Sequence, residues 1–292
     1  MVRKIVAHLQ YSEYHKSMSA ITSTASGDDA LPQAIQITAR VGYVARAVFY
    51  VIIGVLALLA SLDLGGATVG SDGVLSWVVA APMGDVLLVV LAAGMLAYCV
   101  WRAIQVFYDP DDHGMDAKGI AIRGAFVVSI LTHAALAYAA LQMVFGSSSG
   151  SDGGTAEKID SLMGMSWGPW LVGIGGTIAI IAGIVHLYKA YAAKFEERLS
   201  TPPRHQDWVR VVCRIGLTTR GLAFMTSGGL ALALALGYNA EAGGMTRILE
   251  EAQSYGPIPL AIIAVGFFCF GAYSVIEAIW RRVDTTDVVY SG

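Results

Sequence analysis

The chain has 292 residues, 55% of them hydrophobic and 14% charged, with a formal net charge of −3. A soluble domain carries about a quarter of its residues as charge, so this balance, with a mean hydropathy of +0.60, points to a membrane protein and gives no reason to expect nucleic acid. The three cysteines, Cys99, Cys213 and Cys269, stand singly and form no CxxC, which leaves no basis for a disulfide scaffold or a zinc site.

The opening residues, MVRKIVAHLQYSEYHKSM, lack an unbroken apolar core and a small-residue cleavage site, so no cleavable signal is expected. Residues 1–36 read as a polar cytoplasmic tail, in part an amphipathic helix. Apolar runs of about 20 residues, the length that crosses a bilayer as helix, follow near 42–63, 85–107, 120–145, 169–191, 215–237 and 258–280. They are continuous, not alternating, which favours helices over barrel strands. Basic residues give the direction. With both termini cytoplasmic, 17 of the 19 Lys and Arg residues fall inside, and only Lys158 and Arg247 outside. The expectation is a multi-pass protein of the plasma (inner) membrane with its N- and C-termini in the cytoplasm.

The six spans are one hairpin written three times. GYVARA (Gly42 to Ala47), GIAIRG (Gly119 to Gly124) and GLTTRG (Gly216 to Gly221) each open an odd-numbered span with Gly-x-x-x-Arg and a small residue. Each outer loop holds a short helical-looking segment, GVLSWVVA, AEKIDSLM or MTRILEEA, and ends in a large residue plus glycine before the return helix. The even spans close in AYCVWRA, VHLYKA and AYSVIEA, which makes Arg102, Lys189 and Glu277 equivalent. The units run over 37–110, 111–197 and 206–283, with a cytoplasmic tail at 284–292. Parallel repeats imply an axis along the membrane normal. The expected fold is therefore all-α and polytopic, six transmembrane helices as three parallel two-helix repeats in a pseudo-three-fold bundle.

These features resemble a family of bacterial integral membrane proteins catalogued as domain of unknown function 1206. The resemblance covers about residues 37–283, and its specificity lies in the triple repeat. The chain departs from the pattern at Ala47, where the other copies have glycine, and at Glu277, where they have a basic residue. The family implies no particular activity.

Arg46, Arg123 and Arg220 are expected within about a turn of the cytoplasmic boundary, where a guanidinium can snorkel to the headgroups. Three roles fit: a topology anchor, a cap on the C-terminal carbonyls of neighbouring even spans, or a ring lining an anion path. Repetition favours the structural roles, because a docking device is needed in every hairpin and a catalytic residue only once. Glu277 lies against its own helix dipole and needs a basic partner from among these three, Arg220 first by repeat membership. The 33 glycines make close helix contacts plausible, with no weight resting on any single one, the repeat glycines Gly42, Gly119 and Gly216 included.

His133, near mid-membrane, and His186, near the cytoplasmic end of its span, differ in depth by roughly 10 Å at helical rise, which argues against one metal shared within the hairpin. A histidine satisfied by a neighbouring backbone is the favoured reading for both, with proton relay or haem ligation as the alternatives. DPDDHGMD, from Asp109, lacks the closing glutamate of a calcium loop and reads as an acidic turn. No P-loop, dinucleotide glycine pattern, nucleophile elbow or metal motif occurs. No catalytic residue, cofactor or metal is expected. Membrane lipids, a membrane-protein partner or a second copy are the expected associates, with any small ligand unidentified. A structural or interaction role leads, and a small channel or transporter along the pseudo-three-fold axis is the alternative.

Overall fold

The computed structural model describes residues 30–68, 70–146, 155–238 and 244–283. Over these residues the chain is helical: α1 (Ala30–Ser61), α2 (Ser71–Val79), α3 (Gly84–Phe107), α4 (Ala117–Phe145), α5 (Thr155–Met163), α6 (Gly168–Tyr191), α7 (Gln206–Ala235), α8 (Met245–Ser254) and α9 (Pro257–Trp280). Two 3-10 turns lie in the linker before α7. The short outer segments GVLSWVVA, AEKIDSLM and MTRILEEA fall in α2, α5 and α8.

Local signals explain several boundaries. Asp116 caps α4 by accepting from the Gly119 backbone N–H at 2.8 Å, and prolines occupy the first turn of α6 and α9, where a missing N–H costs nothing. The chain is already helical at Ala30, inside the stretch expected as polar tail. The cause is apolar spacing: Ile35, Ala39 and Tyr43 fall on one face and are buried with Tyr98, Trp101 and Ala278. The remainder of that tail, and the tail at 284–292, lie outside the described residues.

Five helices, α1, α3, α4, α6 and α9, are long and apolar enough to cross a membrane, so the chain is a multi-pass membrane protein. The expected sixth span, near 215–237, is not among them. α7 has the length, at 30 residues, but Thr218, Thr219 and Arg220, then Thr226 to Gly229, dilute its apolar run.

The helices follow one another side by side in the order α4, α3, α1, α9, α7, α6. The return helix of each repeat packs on the leading helix of the next: α3 on α4, α6 on α7, and α9 on α1. Within repeats, α1 packs on α3 and α7 on α9, but α4 and α6 do not pack along each other. The result is a ring open in the second repeat. Burial agrees: 17% of the apolar window is buried in both α4 and α6, against 44% in α3 and α9 and 56% in α1.

At the hairpin end (where α2, α5 and α8 lie), Val74, Leu75 and Val78 of α2 and Leu249 and Ala252 of α8 are buried in the main core. The Gly70 N–H donates to Thr246 Oγ1 at 2.9 Å, fastening α2 to α8. At the opposite, linker end, Leu199 forms a bridge with Arg281, and the His205 and Trp208 rings pack on Trp280 at 5.6 and 6.1 Å.

Candidate functional site

Arg46 lies in the bundle interior, 6% exposed. Its Nε donates to Ser274 Oγ at 2.9 Å and its Nη1 to Tyr98 Oη at 2.7 Å, while Nη2 pairs with Glu277 Oε2. Four rings, of Tyr43, Tyr98, Phe270 and Tyr273, lie 5.1–5.8 Å from its guanidinium carbon. The expected snorkelling to a boundary does not occur, because acceptors from α3 and α9 satisfy the charge where it stands.

Glu277 is thus partnered by Arg46, not by Arg220. The reason is the ring order: α9 closes on α1, so its carboxylate meets the arginine of repeat 1. Its other oxygen accepts from Arg281 Nη1 at 3.0 Å. Arg281 reaches on to Asp111 at 2.8 Å, and Asp111 also meets Arg198 and accepts from Gln105 at 2.5 Å. One chain of alternating charge, Arg46–Glu277–Arg281–Asp111–Arg198, therefore ties all three repeats together. Breaking a buried pair by deleting one partner costs about 3–5 kcal/mol, because the other charge is stranded.

Arg220 has a different setting. Its Nη1 donates to the Tyr50 hydroxyl, and its guanidinium carbon lies 4.4–4.7 Å from the rings of Phe224, Tyr50 and Phe270. Among the described residues it has no carboxylate partner, and its Nε and Nη2 have no acceptor. Arg46 and Arg220 both line a cavity of about 120 Å³, together with Phe49, Tyr50, Met95, Thr132, His133, Leu136 and Phe224. For scale, an engineered apolar cavity of about 150 Å³ takes a benzene-sized guest.

Arg123 does not reach this cavity. Arg46 stands 15 residues before the end of α1 at Ser61, and Arg220 likewise 15 before Ala235, but Arg123 stands 22 before Phe145. Two extra turns place it at the linker end, where it donates to Val106 O at 3.2 Å and pairs with Asp109 at 3.0 Å. Capping of even-span carbonyls does occur, but only Arg123 among the three repeat arginines does it. Arg40 donates to Ala278 O at 2.8 Å and Arg214 to Tyr191 O at 3.3 Å, each six residues ahead of a repeat arginine.

The repeat glycines divide in the same way. A Cβ on Gly42 would lie 2.6 Å from Tyr98 Cα, and one on Gly216 would lie 2.6 Å from Phe270 Cα, so both mark helix crossings within a repeat. Gly119 instead sits in the first turn of α4, against the carbonyl of Gly114.

His133 Nδ1 lies 2.8 Å from Ser129 O with its ring against Tyr98, and His186 Nδ1 lies 2.7 Å from Ala182 O with its ring against Phe224. Both contact the carbonyl one turn back in their own helix. Among the described residues, no group of three His, Cys, Asp or Glu side chains is placed to hold a metal ion.

The acidic turn is a clamp. Burial raises the Asp109 carboxyl pKa, but the backbone N–H groups of His113 and Gly114 and the side chains of His113 and Arg123 outweigh it and bring the group to about 2. Asp111 is also held below its ordinary range: burial opposes this, and Arg281 and Arg198 overcome it. The His113 imidazole is lowered, first by burial and then by Arg198, against the opposing pull of Asp109 and Asp111. Sequence reasoning missed Tyr50, Tyr98, Ser274 and the pivotal place of Asp111. The available signal for Asp111 was its position at the junction of two repeats.

The family model described as Domain of Unknown Function (DUF1206) matches the chain three times, over residues 41–109, 124–193 and 215–281. A curated relative from Bacillus subtilis (strain 168), named "Uncharacterized protein YxxB", is 27% identical over 252 residues, covering 84% of this chain and 90% of the relative. No solved structure matches.

Proposed function

The chain belongs to the DUF1206 family, and from that premise we propose a six-span inner-membrane protein, both termini cytoplasmic, whose role is structural or interactive and not conductive. In this reading α7 is the sixth span, since its polar residues face partners inside the ring: Arg220 meets Tyr50, and Thr219 lies against Gly266. The three matches to one family model, and the repeated packing of return helix on leading helix, support pseudo-three-fold descent with the second repeat sprung open.

One observation carries the choice against a pore. Toward the hairpin end from the Arg46–Arg220 cavity, the core between α1, α3 and α9 is apolar and buried, through Ile53, Ala57, Leu88, Leu91, Leu260 and Ala264 to the covering helices α2 and α8. A symmetric anion path needs three arginines at one depth, and Arg123 stands two turns away. The cavity is suited to hold a guest, which is an interaction role.

Flux assays on the full chain in liposomes test this reading. Chloride and phosphate release equal to that of protein-free liposomes is the expected result. Release that depends on the protein and vanishes in Arg220→Met would overturn it in favour of the channel or transporter.

A further inference from the structure

We propose that the open side between α4 and α6 admits one anionic phospholipid of the surrounding bilayer, whose phosphate is bound by Arg220 beside Arg46; this rests on the membrane-embedded, non-conducting reading above.

The charge at the cavity is unbalanced. Glu277 is the carboxylate nearest Arg46, and both of its oxygens are already engaged, by Arg46 and Arg281. Arg220 is left with the Tyr50 hydroxyl and three aromatic faces. Aromatic faces attract a cation but accept no hydrogen bond from Nε and Nη2. Those two nitrogens form the edge of the fork that takes a phosphate in bidentate fashion.

The opening is independent of the charge. Thr132 lines the cavity and is itself exposed on α4, so the cavity borders solvent beside α4, one of the two helices between which the ring is open. In a multi-pass protein that side faces lipid. The remaining wall, Phe49, Met95, Leu136 and Phe224, is apolar and suits the glycerol and upper acyl chain below a phosphate. A free oxyanion has no use for that wall, and a zwitterionic headgroup would bring an ammonium toward Arg220.

The test uses the full chain, delipidated in neutral detergent, with phosphatidylglycerol or phosphatidylcholine added and retained lipid counted by native mass spectrometry. Retention of one phosphatidylglycerol with about ten-fold preference, equivalent to about 1.4 kcal/mol, is expected, with a matching rise in thermal stability from ligand linkage. Arg220→Met should abolish the preference. Thr132→Trp should also abolish it by closing the opening, and because Thr132 is exposed this variant serves if Arg220→Met fails to fold. Equal retention of the two lipids, or a preference unchanged in Thr132→Trp, would overturn the proposal. Stabilisation by inorganic phosphate alone, equal to that by phosphatidylglycerol, would also overturn it by identifying a simple anion site. Equal retention without flux defeats the lipid while leaving the non-conducting role intact, whereas protein-dependent flux defeats that role.

Discussion

Glu277 is shared between Arg46 and Arg281: one carboxylate, 4% exposed, grips the middle of α1 with one oxygen and the end of its own helix with the other. This closes the ring between the third repeat and the first. It also passes charge outward to Asp111, so that the bundle interior and the linker end act as one connected unit.

Glu277→Gln, or Arg46→Met, should each destabilise the protein by about 3–5 kcal/mol, because each strands a buried charge. The double variant should lose clearly less than the sum. Denaturant unfolding in mixed micelles, arranged as a double-mutant cycle, gives the coupling. Additive losses would show that the two groups do not depend on each other.

Much of this architecture was legible in the sequence, and the failures have physical causes. The three hairpins and their short outer helices follow from apolar run length and repeated text. The partner of Glu277 was misread because repeat membership suggests a contact within the hairpin, whereas the ring brings α9 against α1. Arg123 was misread because identical text was given identical depth. The depth of a charge is set by the helix remaining beyond it, and α4 runs two turns further past its arginine than α1 or α7 does. The opening of the second repeat had no local signal, since packing between α4 and α6 depends on tertiary contacts that no single helix encodes.

Stability should fall with pH through His113. Its folded pKa is below the ordinary 6.5, so the unfolded chain binds more protons as the pH drops through that value, and the stability present above it is lost. Asp109 acts likewise lower down: depressed from 3.8 to about 2, it contributes stability above about pH 4 that is lost as pH falls to its folded value. Melting temperatures from pH 8 to 5 should decline less steeply in His113→Asn than in the parent. Parallel curves would show that His113 titrates alike in both states.

Two glycines separate contact from helix propensity. Gly216→Ala drives a Cβ into the backbone of Phe270 and should cost about 1–3 kcal/mol through overpacking. Gly124→Ala meets nothing within 4 Å and should stabilise α4 by about 0.5–1 kcal/mol, the ordinary helix preference for alanine. Thermal unfolding of the two variants, measured side by side, checks the opposite signs.

Disulfide trapping in a variant lacking Cys99, Cys213 and Cys269 tests the open ring most directly. Cysteine pairs scanned along the facing sides of α1 and α3, and of α7 and α9, which pack on each other, are expected to include pairs that link rapidly in membranes. Cysteine pairs scanned along the facing sides of α4 and α6 are expected to remain unlinked. Linkage between α4 and α6 as complete as in the other two repeats would mean a closed, three-fold ring, and would contradict the account.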